Sequence, residues 1–520
     1  MSYYETRLHT LPTLVQTEII VQIGLEASLR SLFKAIPSVR SHFKQYEISI
    51  LHGIFRNLMP DDQERNILKD VLAVIDLNSG KYDNGDFKEM LRDRRRKELS
   101  RPPDLRQLRQ VWLLISRIIL LIEDNVSKAT SLYPPRAYMG LPDLEWGIGS
   151  KFKGQSLETR PVSFTSLGRH ERYRLLRAFV RYQLLCKAHR TFSSRFMTKD
   201  IFESHIFDGD NAPDLSAFSS THDYYKALWG AVFAQSGDSW LPELPTECHG
   251  APTSLVKSPR RLLYPDNTFF DADRYFNDLS LGTEHRPDLV DELANCGLGL
   301  VCGTLNNLSE AQDWGGLFKI WLKELIMKVP KFSPWIYEIG YYRRWGRRTL
   351  EELVPEAWEF FSSKVMSSSD RDSLRPYIAK NLRVNQIIAD EQLELCERPY
   401  VRQAQIYRQR AWGLLDDERL YANTIRPFPT FEQLHVLETL LDREGGPELQ
   451  RQRRSQLWQD LWMGKRSSVI AGGLRQSDNS VTQSRLPGRS TPLWNTSGQR
   501  LWGWKGQHGG GGEHHAFRTG

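Results

Sequence analysis

The stretch from Leu11 to Leu58 constrains this chain most, because helix breakers cut its apolar pattern into short helical pieces. Val15, Ile19 and Ile23 recur every four residues with Ile20 beside them, and Gly24 follows as a left-handed stop. Thr13 and Gln16, just after Pro12, have the spacing of a capping box, which predicts a first helix over 13–23. Ser28 opens a second helix whose apolar face is Leu29, Leu32, Phe33 and Ile36. Pro37 ends it, since the residue before a proline is pushed out of helical geometry. Ser38 caps a third, with Val39, Phe43, Tyr46, Ile50, Ile54 and Leu58 on one stripe and Leu51 and Phe55 widening it. Three helices in so few residues carry more apolar face than so small a bundle buries internally. Some of Leu11, Pro12, Ile20, Leu25, Leu29 and Phe33 must therefore cover a further surface, of this chain or of another protein.

The same 3.6-residue periodicity runs through most of the 520 residues, and alternating strand patterns are scarce. Helices are predicted over 63–77, 105–127, 166–199, 224–233, 288–308, 314–329, 350–367, 390–425 and 430–464. The fold class is mainly α: a three-helix module at 1–60, an irregular helical domain at 61–464 with a loop-rich part at 200–273, and a disordered tail at 465–520. The tail is expected to be disordered because Ser, Gly, Arg, Gln and Asn dominate it, although it carries Trp494, Trp502 and Trp504. The most hydrophobic run, Val111 to Ile122, is shorter than the roughly 20 residues a membrane span needs, and Arg117 sits inside it. It reads as a buried core helix.

Cys186, Cys248, Cys296, Cys302 and Cys396 include no CxxC pair, which excludes a zinc ribbon or a thioredoxin-type site. A net charge of +7 is too mild to call for nucleic acid as a partner. Asp208 to Asp214 has an EF-hand flavour, but Pro213 and Ser219 stand where glycine and glutamate are required. His205, Asp208 and His222, or Cys248, His249 and His285, lack the short fixed spacing of a structural metal site, so turn and surface roles are expected. Gly297-Leu298-Gly299 misses the spacing of a nucleotide loop, and close helix approach is the better account. Arg92–Lys97 reads as a charged helix surface, with a nuclear localisation patch as the alternative; Tyr341–Arg348 reads as a helix packed on the core with its arginines paired to Glu338, Glu351 and Glu352, ahead of a nucleic-acid contact. With no nucleophile elbow, Walker loop or HExxH, the chain is expected to be no enzyme and to hold no metal or cofactor.

Residues 11–58 resemble an F-box in the form found among filamentous-fungal proteins. The elements are Leu11-Pro12, Ile19-Ile20, Ser28-Leu29-Arg30-Ser31-Leu32, Ala35-Ile36-Pro37 and Phe43 to Leu51. The pattern departs at Leu14, where an acidic residue is usual, and at polar Gln16, Thr17 and Gln22. Arg410-Ala411-Trp412-Gly413 through Asp416-Asp417 to Arg419-Leu420 is similar to a later segment of the same proteins, and residues 294–303 more weakly so. The resemblance implies a non-catalytic adaptor, cytoplasmic or nuclear, joining an unknown protein substrate to a Skp, cullin and RING ubiquitin ligase. It implies contacts to the Skp-type linker from Leu11, Pro12, Ile19, Ile20, Ile23, Leu29, Leu32, Phe33 and Pro37. The alternative is a helical scaffold or interaction protein whose hairpin packs into its own core.

Overall fold

The computed structural model describes residues 11–62, 66–79, 103–144, 150–157, 159–191, 212–241, 269–277, 289–310, 402–403 and 405–420, with isolated positions at 320–324, 429, 434, 436 and 455. All of these lie within a unit of residues 1–466, distinct from a second unit of 467–520. The predicted helix over 350–367, most of those over 314–329 and 430–464, half of that over 390–425, both basic clusters and the tail lie outside the described residues. What is described is mainly helical, as the periodicity implies.

Residues 11–58 form four helices: α1 (Thr13–Ile23), α2 (Glu26–Ala35), α3 (Pro37–Gln45) and α4 (Glu47–Leu58). The limits of α1 are those predicted, and Gly24 ends it at φ +62°, with its N–H donating to the Ile20 carbonyl at 3.0 Å. The capping box is absent. Pro12 itself is the N-cap, which places Thr13 inside the helix, and Gln16 Nε2 instead donates to the Leu11 carbonyl at 2.8 Å. α2 starts at Glu26, before Ser28, and gains an acidic first turn. Pro37 does end α2, and it also supplies the first residue of α3.

The predicted third helix is broken at Tyr46, whose φ of −115° leaves helical geometry. The two halves bury their stripes in different places. Phe43 of α3 packs on Phe33 and Trp112, whereas Ile50, Leu51, Ile54 and Leu58 of α4 are buried between α1 and a later helix. The break also brings the buried Glu47 carboxylate to Arg109.

That later helix is α6 (Leu105–Ala129), which follows α5 (Asn66–Asn78). Asp104 and Gln107 close a capping box at its start. α6 touches α2, α4, α5 and α8 (Arg169–Thr191), so its apolar run is covered on several sides and is a core helix as expected. Among the described residues no helix is long and apolar enough to cross a membrane.

After the short α7 (Pro134–Tyr138), strands β1 (Leu141–Pro142), β2 (Ser150–Phe152) and β3 (Gln155–Ser156) pair antiparallel in that order. Lys153 and Gly154 both take positive φ, the turn that suits a two-residue hairpin loop. α9 spans Ala212–Ser236, where the sequence predicts a helix only over 224–233. Its partners α8, α10 (Ala272–Asn277), α11 (Leu289–Asn295) and β1 surround it, so apolar residues run right round it and no one-sided period marks it. The helix predicted over 288–308 is α11 followed by α12 (Leu298–Glu310), separated at Gly297 with φ +70°. A Cβ at Gly297 would lie 2.6 Å from Gln183 Oε1, the atom that accepts the Leu298 N–H at 2.8 Å. Close helix approach is therefore what this glycine provides. Residues 405–410 make a helical turn, and α13 (Asp417–Leu420) follows.

Candidate docking surface

Two of the nine residues expected at a partner interface belong to this chain's own interior. Ile20 and Leu29 are fully buried. Ile20 lies on α1, which packs on α3 and α4, and Leu29 lies on α2, which packs on α3 and α6. At the turn between α1 and α2, Trp112 Nε1 donates to the Gly24 carbonyl at 2.7 Å and the Glu26 N–H donates to Ser116 Oγ at 3.2 Å, which fixes that turn on α6. Leu11, Ile19, Ile23, Leu32 and Phe33 are half-buried, and Pro12 and Pro37 are exposed.

The opposite end of α1 is open. Val21 packs on Gly53 and Gly24 on Ile54 and Leu58, so the C-terminal half of α1 is held against α4. Toward its N-terminus, Thr17 Oγ1 lies 2.9 Å from His42 Nε2, and the His42 ring lies 4.8 Å from that of Tyr46. Burial lowers the His42 pKa, which favours the neutral ring against the Thr17 hydroxyl. The first turn of α1 thus runs toward the α3–α4 corner. There Leu14 is 82% exposed, Val15 42%, Tyr46 38% and Ile48 53%. A lone exposed apolar side chain is ordinary; four of them on two neighbouring elements near an exposed Pro12 make this end of the module the candidate surface.

Periodicity puts Val15 and Tyr46 on inward stripes, yet both are exposed: Val15 is in the first turn of α1, and Tyr46 is at the break between α3 and α4. Leu14 and Ile48 lie off the stripes. The one sequence signal was Leu14, an apolar residue where the resembled pattern has an acid.

The Arg410–Leu420 motif has a structural role. Arg410 Nη1 donates to the Ala129 and Ser131 carbonyls at 3.2 and 2.6 Å, satisfying the C-terminal end of α6. Burial lowers the Arg410 pKa to about 10, so it stays charged at neutral pH. Arg419 grips the Glu171 carboxylate at 3.0–3.1 Å, and the N–H groups of Asp416 and Gly168 donate to it at 2.9 and 2.8 Å. Burial pushes the Glu171 carboxyl up, but these donors together hold it below its ordinary range. Ala411 and Gly413 take the positive φ values that turn the chain between the two arginines.

His222 sits on a helix, not in a loop as expected. Its Nε2 lies 3.1 Å from Asp291 Oδ1 and its Nδ1 3.0 Å from the Tyr182 hydroxyl, while Lys226 Nζ lies 3.1 Å from Asp291 Oδ2. Burial raises the Asp291 carboxyl, and Lys226 and His222 more than reverse this, holding it ionised. Tyr, His and carboxylate in line could relay a proton, but the Tyr182 side chain is fully buried and its hydroxyl also bonds the Ala294 carbonyl. The network ties α8, α9 and α11 together. Among the described residues no group of three or more His, Cys, Asp or Glu could hold a metal ion. His205, Asp208, Cys248, His249 and His285 lie outside them.

No protein family, curated protein or solved structure matches this chain.

Proposed function

We propose that this chain is an F-box-like adaptor that docks on a Skp-type linker and presents a bound protein to a cullin and RING ubiquitin ligase. It supplies proximity rather than chemistry. The observation that carries the reading is the exposed apolar corner of Leu14, Val15, Tyr46 and Ile48 beside the Leu11-Pro12 element. In this reading Leu11, Pro12, Ile19 and the corner make the contact, while Ile20 and Leu29 hold the module in shape.

A second reading is favoured by the Trp112 bond to the Gly24 carbonyl: a helical scaffold whose hairpin belongs to its own core. The two separate in a pulldown with purified linker protein. The adaptor reading expects the full chain to capture it, and the variant Leu11→Ala with Pro12→Ala to lose that capture with an unchanged far-UV circular dichroism spectrum. Failure of the wild-type chain, beside a control F-box that succeeds, favours the scaffold.

A further inference from the structure

On the α2–α3 side of the module, against the start of α6, lies a groove of about 460 Å³. That is within the roughly 300–1,000 Å³ of ligand sites. Its floor is aromatic: the ring centroids of Phe33 and Phe43 are 5.2 Å apart, and those of Phe43 and Trp112 are 5.7 Å apart. Trp112 cannot swing out without breaking its bond to the Gly24 carbonyl, so the floor is preformed.

The rim is basic. Arg40 and Lys44 stand one turn apart on α3, both exposed. Neither has an acidic partner among the described residues. Glu47, the one acid lining the groove, is held by Arg109 through two bonds of 2.5 Å and does not neutralise them. Two uncompensated cations therefore stand over an apolar floor.

We propose that this groove binds an acidic peptide segment of a partner protein, with a large apolar side chain on the aromatic floor and flanking carboxylates on Arg40 and Lys44. Charge complementarity selects the acidic flanks, and the desolvated aromatic floor supplies an anchor. Nucleic acid is the poorer fit, because tight binding draws on roughly six to ten phosphate contacts and the rim offers far fewer cations. The proposal does not rest on linker docking, which is assigned to different residues, although Lys44 and Glu47 flank Tyr46 of the corner. If both hold, the groove is where the adaptor takes its substrate.

The test uses the full chain and a fluorescein-labelled peptide in which one phenylalanine is flanked by aspartates and glutamates, read by fluorescence anisotropy. We expect saturable binding that weakens as salt is raised. Asparagine and glutamine flanks, or alanine for the phenylalanine, should each weaken it at least about tenfold. The variant Arg40→Glu with Lys44→Glu should lose about tenfold or more while keeping its unfolding midpoint and its capture of the linker; the milder Arg40→Gln with Lys44→Gln serves if the midpoint moves. Absence of saturable binding to the wild-type chain overturns the proposal. So does equal binding of the amide-flanked peptide, or tighter binding of a single-stranded oligonucleotide that depends on the same two residues.

Discussion

The two segments that carry the stronger sequence resemblances make opposite use of their side chains. In Arg410–Leu420 the two arginines turn inward: Arg410 satisfies the end of α6, and Arg419 and the Asp416 N–H converge on Glu171. Leu11–Leu58 also bonds to α6, through Trp112, Ser116 and Arg109, but its apolar Leu14, Val15, Tyr46 and Ile48 are exposed. A charged motif whose partners all lie in the same chain reads as a clasp. An apolar group left in water is what still needs a partner. That contrast puts the candidate interface at the N-terminal module and removes it from the motif that looks more chemical.

The comparison breaks first if the clasp is not structural. Arg410→Ala leaves the Ala129 and Ser131 carbonyls without their buried charged donor, and should cost about 3 kcal/mol in chemical denaturation. A loss of under roughly 0.5 kcal/mol, the size of an ordinary surface change, would contradict the assignment.

Glu171→Gln should cost less, roughly 2 kcal/mol at neutral pH, since its backbone bonds survive in part. Its pH dependence has a definite sign. The folded carboxyl lies below its ordinary value, so its stabilisation is complete above that value and disappears as pH falls through the folded one. The stability gap between wild type and Glu171→Gln should therefore narrow on acidification. Denaturation curves from neutral to acidic pH check this, and a gap that widens would contradict it.

How far the sequence alone reached differs between elements for physical reasons. α1 was readable because Pro12 and Gly24 punctuate both ends, and α6 because its long apolar run, Val111 to Ile122, is unbroken by proline or glycine. The split of α3 from α4 was not, since the stripe of Val39, Phe43, Tyr46 and Ile50 runs straight across the break. α9 escaped because apolar residues run right round a helix with neighbours on several sides. Strands of two or three residues are too short to show an alternating period, although Lys153-Gly154 is a turn signal.

In the candidate site, the apolar surplus was correctly countable but its destination was not. The contact that buries the turn after Ile20 joins Gly24 to Trp112, 88 residues away in sequence. Periodicity says which face is apolar and is silent on who covers it. Leu14 was visible as a departure from the resembled pattern, and only its exposure made it a candidate site residue.

The smallest effect on stability should accompany the decisive effect on binding. Val15→Asp with Ile48→Asp alters two exposed side chains and should leave the unfolding free energy within about 0.5 kcal/mol of wild type. Titration calorimetry of purified linker protein into the full chain is the direct measurement. We predict saturable binding by the wild-type chain and at least about tenfold weaker binding by this variant, a difference of about 1.4 kcal/mol. No saturable binding by the wild-type chain, or equal affinity in the variant, would contradict the assignment of the α1 corner as the docking surface.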